Sequence, residues 1–216
     1  MGRRKKKKLA EVILLPNVLE WPEGIAGKWN QNFFNKDQPI TLEIGCGKGE
    51  YTEALAERNP DKNFLGIDSK GDRIWTGAFN AYEKGLKNAG FLRIRAEDIG
   101  QYFAENEVSE IWLTFPDPFV KPSKRNRRLA SPGFLKLYRR ILQDGGQLHL
   151  KTDNEVIFET ALESFPEENF KVVEKHLDLH GDQQGEVNPD AKLVKTKYET
   201  MFMDESPIKY ARCVME

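Results

Sequence analysis

Leu42-Glu43-Ile44-Gly45-Cys46-Gly47-Lys48-Gly49-Glu50 is the stretch on which the fold turns: a short apolar run, three glycines at alternate positions, and an acid at the start of the next segment. Glycines between a strand and a helix let the backbone bend sharply and approach a ligand without Cβ interference. Before the loop, 40–44 reads as a buried strand. After it, 50–58 reads as a helix and 63–67 as the next strand. The alternation continues with a helix over 70–89, an extended segment at 91–95, a helix at 98–105 and a strong fourth strand at 110–115. Ser131-Pro132 caps a helix that runs to Leu142, where Asp144-Gly145-Gly146 stops it. A strand follows at 147–151, then a helix over 154–164 capped by Asp153, then late strands at 170–177 and 208–214 separated by a long polar connection. Strand and helix alternating at this spacing imply parallel pairing and right-handed crossovers. The fold class is therefore α/β, a doubly wound, mostly parallel, seven-stranded sheet with helices on both faces.

The chain has 216 residues, 39% hydrophobic and 31% charged, the size of one domain. No apolar run approaches the roughly 20 residues of a membrane span, so a soluble, cytoplasmic protein is expected. The two cysteines lack metal-ligand spacing, and a reducing compartment follows. The net charge is only −1, but basic residues are concentrated at 3–8 and again at 121–128, Lys-Pro-Ser-Lys-Arg-Asn-Arg-Arg. Such blocks attract phosphates even when acids elsewhere cancel the total. Residues 1–8 are expected to form a disordered tail, and 9–216 a single domain with an aromatic-rich lead-in at 9–39.

In open α/β sheets the crevice above the first strand-to-helix turn binds cofactors, and Asp68, ending the second strand, is placed to accept from ribose hydroxyls. Both features suit a dinucleotide as well. The G-x-G-x-G spacing and Glu50, an acid where a pyrophosphate needs positive potential, favour a cofactor without phosphates. Glu43 adds a carboxylate suited to the ammonium and sulfonium of S-adenosyl-L-methionine. Arg95-Ala96-Glu97-Asp98 is placed along the adenine, with a backbone N–H near Ala96 and the acids as acceptors.

The fourth strand ends Thr114-Phe115-Pro116-Asp117-Pro118-Phe119-Val120-Lys121, where flanking prolines restrict the backbone around Asp117. From about Gly27 to the end, the chain resembles the tRNA (guanine-N7)-methyltransferase family. The resemblance is carried by Glu43-Ile-Gly-Cys-Gly-Lys-Gly49, Gly66-Ile-Asp68, Phe115-Pro-Asp-Pro118, the basic stretch ending Arg127-Arg128, Lys151-Thr-Asp-Asn154, Leu177-Asp-Leu-His180, and Thr196-Lys-Tyr-Glu199 with Phe202. Phe119 stands where the family usually has tryptophan, and Arg95 where it usually has an acid or amide.

The resemblance implies a class I methyltransferase sheet with one antiparallel strand near the C-terminus, and methyl transfer from S-adenosyl-L-methionine to N7 of guanine-46 in the tRNA variable loop. It implies Asp117 as the catalytic residue and cofactor contacts from Glu43, Asp68 and Asp117, to which the residue reading adds Gly45, Gly47, Gly49, Ala96 and Glu97. tRNA contacts are implied from Lys121, Asp153, Thr196, Lys197, Tyr198 and Glu199. No obligatory protein subunit is implied, and a monomer or homodimer is expected. Guanine N7 carries a free lone pair, so catalysis reduces mainly to positioning, with Asp117 an electrostatic anchor more than a base.

Rival readings are a nicotinamide-dependent oxidoreductase, a methyltransferase acting on another RNA, a protein or a small molecule, and an RNA-binding module with a dead pocket. His176 and His180 lie in a strand-like segment with no third ligand nearby, so no metal is expected. His149 reads as core, as do Trp29, Trp75 and Trp112, although Trp29 in the lead-in could also cover the cofactor.

Overall fold

A computed structural model describes residues 2–181 and 187–216. In chain order the elements are helix α1 (Arg3–Glu11), strand β1 (Val18–Glu20), a π-helical turn (Trp29–Phe34), β2 (Ile40–Ile44), α2 (Glu50–Arg58), β3 (Asn63–Asp68), α3 (Gly71–Glu83), β4 (Ala89–Arg93) and β5 (Val108–Thr114). There follow α4 (Pro132–Ile141), β6 (Leu142–Thr152), α5 (Glu155–Glu167), β7 (Phe170–His176), the short helices α6 (Pro189–Leu193) and α7 (Lys197–Phe202), and β8 (Lys209–Met215). One sheet contains the strands in the order β1-β4-β3-β2-β5-β6-β8-β7. It is parallel except for β8, which runs antiparallel to both neighbours.

All five residues of β2 are buried, because both faces of a central parallel strand are covered. Leu42 and Ile44 pack with Leu135 and Tyr138 of α4 and Phe158 and Phe165 of α5. On the other face, Tyr51 and Leu55 of α2 and Ile74 and Ala78 of α3 pack with Trp112 and Phe91. β2 pairs with β3 on one side and β5 on the other. The connections leaving β2 and β5 therefore part above their carboxyl ends, and that switch point opens a crevice. Among the described residues, no helix is long and apolar enough to cross a membrane.

Several expectations are corrected. The sheet has eight strands, since the lead-in supplies β1, paired from Val18 to Glu20 with β4. The third helix stops at Glu83 because Gly85 adopts φ 71, which ends the turn. The segment expected to be a helix at 98–105 is a 3-10 turn at Ala96–Gln101. Asn154, not Asp153, caps α5 by accepting from Ile157 N at 3.0 Å. Trp29 is fully buried, stacks on Phe103 at 5.3 Å and donates to the Tyr102 carbonyl, so it belongs to the core and covers no ligand.

The basic tail is helical from Arg3, apart from Met1, which lies outside the described residues. Its order has a local cause. Lys8 Nζ donates to Thr76 Oγ1 at 2.7 Å and stands 4.4 Å over the Trp75 ring, and Lys5 pairs with Asp72 at 3.4 Å. The helix is held by α3 and not by its own lysine-rich sequence, since a peptide this short is marginal alone.

Gly49 shows how tightly the two helices meet. It has φ 71, and a Cβ there would stand 2.4 Å from Phe91 Cε1 and 3.1 Å from the Cα of Gly77. Gly49→Ala combines backbone strain with overpacking and is expected to destabilise by roughly 2–5 kcal/mol in chemical denaturation. Gly133→Ala, where a Cβ meets nothing within 4 Å, is the control and should be neutral or slightly stabilising.

Candidate active site

The glycine loop returns on itself through backbone bonds: Gly45 N and Cys46 N both donate to the Ile67 carbonyl, at 2.8 and 3.0 Å. This ties the end of β2 to the end of β3 and brings Asp68 beside the loop. Asp68 Oδ2 accepts from Gly47 N at 3.1 Å and Oδ1 from Lys70 N at 2.8 Å, leaving acceptor capacity on both oxygens. Beneath the loop, Glu43 alternates away from Leu42 and Ile44 and points toward α2. Its Oε2 accepts from the backbone and hydroxyl of Thr52, and its Oε1 from Thr114 Oγ1 at 2.6 Å. Burial pushes this carboxyl up to about 7 against the pull of those hydrogen bonds, with Asp68 adding a smaller push.

At the end of β5 the chain departs from ordinary geometry. Phe115 has φ 47, a left-handed conformation that costs an aromatic residue about 1–3 kcal/mol. Phe115 N donates to the Lys151 carbonyl at 2.7 Å, so β6 holds the strained turn in place. Beyond it, Asp117 is exposed at the crevice mouth. Arg128, which the sequence placed in the phosphate-binding block, is buried and braces this loop. Its guanidinium donates to the carbonyls of Pro118 and Phe119 and, at 3.0 Å, to Thr160 Oγ1 of α5. The exposed charges of the block are Lys121 and, on a 3-10 turn at Pro122–Arg127, Lys124, Arg125 and Arg127.

The crevice has two compartments. One, of about 470 Å³, is lined by Gly45, Asp68, Ala96, Glu97, Asp117 and Arg127, among others. The second, of about 600 Å³, takes in Glu43, Gly47, Asp117, Asp153, Thr196 and Tyr198. Asp117 and Gly45 border both. Arg95 Nη2 and Glu97 Oε1 form an exposed pair at 2.6 Å, and that hydrogen bond lowers the Glu97 carboxyl.

The far wall comes from the connection between β7 and β8. Thr196 caps α7 by accepting from Glu199 N at 3.1 Å, and Glu50 accepts from Lys197 N at 2.8 Å, joining α7 to the start of α2. Tyr198 Oη donates to Asp153 Oδ2 at 2.6 Å, which raises the phenol to about 12, and its ring meets Phe115 at 5.2 Å and Phe202 at 4.8 Å. Asp153 is available for this bond because Asn154 took over the helix cap.

Glu199 is a correction. It is fully buried, so it forms no surface contact. Its Oε1 meets Lys151 Nζ at 2.8 Å and His180 Nε2 at 2.7 Å. Lys151, also fully buried, spends its other protons on the carbonyls of Ala191 and Val194. Burial pulls its ammonium down to about 8, and Glu199 opposes that shift. His180, one of the two histidines considered for a metal, is thus a partner of Glu199, while His176 meets Glu174 at 3.3 Å.

Of the expected residues, Glu43, Gly45, Gly47, Asp68, Ala96, Glu97 and Asp117 fall together at the crevice, as do Asp153, Thr196, Lys197 and Tyr198. Gly49 does not line it and instead permits the α2–α3 contact. Lys121 is exposed and outside the lining of both compartments. Missed by sequence reasoning were Phe115, whose strain has no sequence signal, and Arg73, which lines both compartments from the first turn of α3. Lys151, a charged residue following Leu148 and Leu150 at the buried end of β6, was the available sign of a buried pair.

A family model described as a putative methyltransferase matches residues 37–208. A curated tRNA (guanine-N(7)-)-methyltransferase of Christiangramia forsetii is 42% identical, with 98% of this chain and 96% of that protein covered. One of Bacteroides fragilis is also 42% identical, covering 100% of this chain and 87% of its own length. Among solved structures, the 16S rRNA methyltransferase KamB aligns with a TM-score of 0.65 at 15% identity, covering 90% of this chain and 95% of that one, a likeness of fold.

Removing one partner of a buried ion pair leaves an uncompensated charge. Glu199→Ala is therefore expected to lower unfolding stability by about 3–5 kcal/mol in urea titration. A shift within about 0.5 kcal/mol, as at an ordinary surface position, would mean the pair does not hold the wall.

Proposed function

The chain belongs to the tRNA (guanine-N7)-methyltransferase family, and from this we propose that it methylates N7 of guanine-46 in the variable loop of tRNA, using S-adenosyl-L-methionine. The observation that carries the assignment is the position of Asp117, which borders both compartments of the crevice. A donor reaching from Asp68 to Glu43 spans both, and an acceptor against the Asp153–Tyr198 wall would meet it at the Pro-Asp-Pro turn. With tRNA as substrate and both cysteines present as buried thiols, the reaction belongs in the cytoplasm.

The residues present fit the methyl donor. Asp68 has acceptor capacity for ribose hydroxyls, Ala96 and Glu97 edge the same compartment, and buried Glu43 offers a carboxyl beneath the loop whose charged form an ammonium or sulfonium favours. When bound, S-adenosyl-L-methionine supplies a methyl on a positively charged sulfur; the N7 lone pair forms the new C–N bond, the C–S pair returns to sulfur, and no proton has to leave. The task of the protein is alignment, which is worth up to roughly 7–11 kcal/mol in ideal cases. Asp117 fixes the guanine and favours the positive charge that develops on the purine. Asp153 and Tyr198, held to each other, with Thr196 behind them, form the opposite wall. The exposed cations of the Pro122–Arg127 turn contact phosphates, giving affinity without base choice.

Labelled methyl transfer to two transcripts, one with guanine and one with adenine at position 46, tests the assignment. Label in the guanine transcript alone, followed by chain cleavage after reduction and aniline treatment, is expected. No label in either transcript would replace the acceptor. Asp117→Asn should lower kcat by about 10²–10³-fold with little change in binding of either substrate; full turnover would remove its electrostatic role.

Glu43 adds a pH dependence. Its carboxyl is protonated below about 7 in the free protein, and a cation nearby lowers that value, so binding expels a proton. Affinity for S-adenosyl-L-methionine is therefore expected to be highest above pH 7 and to fall as pH drops through 7, by at most about tenfold per unit. Calorimetric titration at pH 6 and 8 reads this directly. Glu43→Gln should abolish the dependence, and its persistence in that variant would assign it to another group.

A further inference from the structure

Outside the crevice lies a larger cleft, of about 1090 Å³, walled by α1, α2, α3 and the residues around α7. Eight basic and three acidic side chains line it. All three acids are already engaged: Asp72 with Lys5 at 3.4 Å, Glu53 with Lys84 at 2.9 Å, and Glu50 with the backbone of Lys197 and, at 3.9 Å, its ammonium. Among the described residues, Arg4, Lys48, Arg73 and Lys195 have no carboxylate within ion-pair distance. Lys8 has only the Thr76 hydroxyl and the Trp75 ring. Burial, followed by repulsion from Arg4 and Lys48, lowers the Lys8 ammonium from its ordinary value, and Asp72 opposes that shift. In a chain of net charge −1, this concentration is a local arrangement.

The cleft is continuous with the candidate active site. Lys48, Glu50, Arg73 and Lys197 line both. It approaches from the face covered by α2 and α3, whereas the Pro122–Arg127 turn leads into α4 on the other face. We propose that this cleft is a second phosphate track, which takes the phosphodiester backbone of the substrate tRNA next to the target nucleotide, so that the RNA is held from both faces of the sheet. The proposal rests on the tRNA assignment above for the identity of the polyanion. Helix α1 is one wall of the track: docked on α3, it turns a run of lysines into a fixed surface.

The test is a salt series of tRNA affinity with the full chain. Arg4→Gln/Lys195→Gln removes two cations that have no carboxylate partner and come from separate walls. Lys171→Gln/Lys175→Gln removes the same charge from exposed positions on β7 and is the control. Each phosphate contact contributes about 0.7–0.9 to the slope of log affinity against log salt. The cleft variant is expected to lose about 1.4–1.8 of slope and to bind tRNA about 10–50-fold more weakly near 0.1 M salt. Its affinity for S-adenosylhomocysteine should be unchanged, and the control should keep the wild-type slope. An unchanged slope in the cleft variant, or an equal fall in both variants, overturns the track. Wild-type methyl transfer to tRNA, measured in the same preparation, separates the two claims. If transfer is present and the slope is unchanged, only the track falls; if transfer is absent, the tRNA assignment falls and takes the polyanion with it.

Discussion

The buried pair of Lys151 and Glu199 is the interaction on which the completed crevice depends. Lys151 sits at the carboxyl end of β6, inside the sheet, and its three protons reach Glu199, Ala191 and Val194, all in the connection between β7 and β8. Buried Leu179, Ala191, Val194 and Ile208 of the same connection pack with Trp112 and Tyr210 of the sheet around this pair. A charge pair with no access to water must keep its geometry, because any displacement exposes one partner to an apolar surrounding without compensation. Tyr198 and Thr196 are carried on the same short helix as Glu199 and inherit that fixed position. The carbonyl of Lys151 also receives Phe115 N, so one residue of β6 supports both the strained turn before Asp117 and the wall facing it.

Charge is sorted by depth. Carboxylates lie in the crevice: Glu43 beneath the glycine loop, Asp68 beside it, Asp117 at the mouth and Asp153 across from it. Among the described residues, cations without a carboxylate within ion-pair distance stand at the crevice edge, at Lys48, Arg73 and Arg127, and beyond it, at Lys124 and Arg125 of the turn, Arg4 of α1 and Lys195. A small cationic donor and a large polyanion are thereby attracted to different zones. The acids also oppose occupation of the interior by phosphates. A net charge of −1 hides this pattern, since acids and bases nearly cancel over the chain as a whole.

Much of the site was legible because its chemistry is local. The glycine loop, Asp68 and the Pro-Asp-Pro turn each announce themselves within a few residues, and the structure brings them together at one sheet edge. The errors share a cause. Glu199 looked like a surface acid because its partners, Lys151 and His180, are 48 and 19 residues away. Asp153 looked like a helix cap because cap chemistry does not distinguish it from Asn154, and only the phenol of Tyr198 shows which carboxylate was needed elsewhere. Arg128 looked like one more phosphate ligand, although it is the buried brace of the turn. The tail looked disordered because nothing in a run of lysines predicts that Thr76 and Trp75 of α3 will receive one of them.

The sequence by itself determined the alternation of strands and helices, the switch-point crevice, the glycine loop beside it and the Pro-Asp-Pro turn at its mouth, because these follow from hydrophobic period, glycine spacing and proline restriction along short stretches of chain. Only the tertiary structure decided which charges are buried in pairs and which remain free, that the lead-in supplies an eighth strand, and that the basic N-terminus is a wall of a cleft. Those outcomes depend on long-range contacts in which desolvation outweighs local preference, and a charge carries no mark in the sequence of whether water or another charge will meet it.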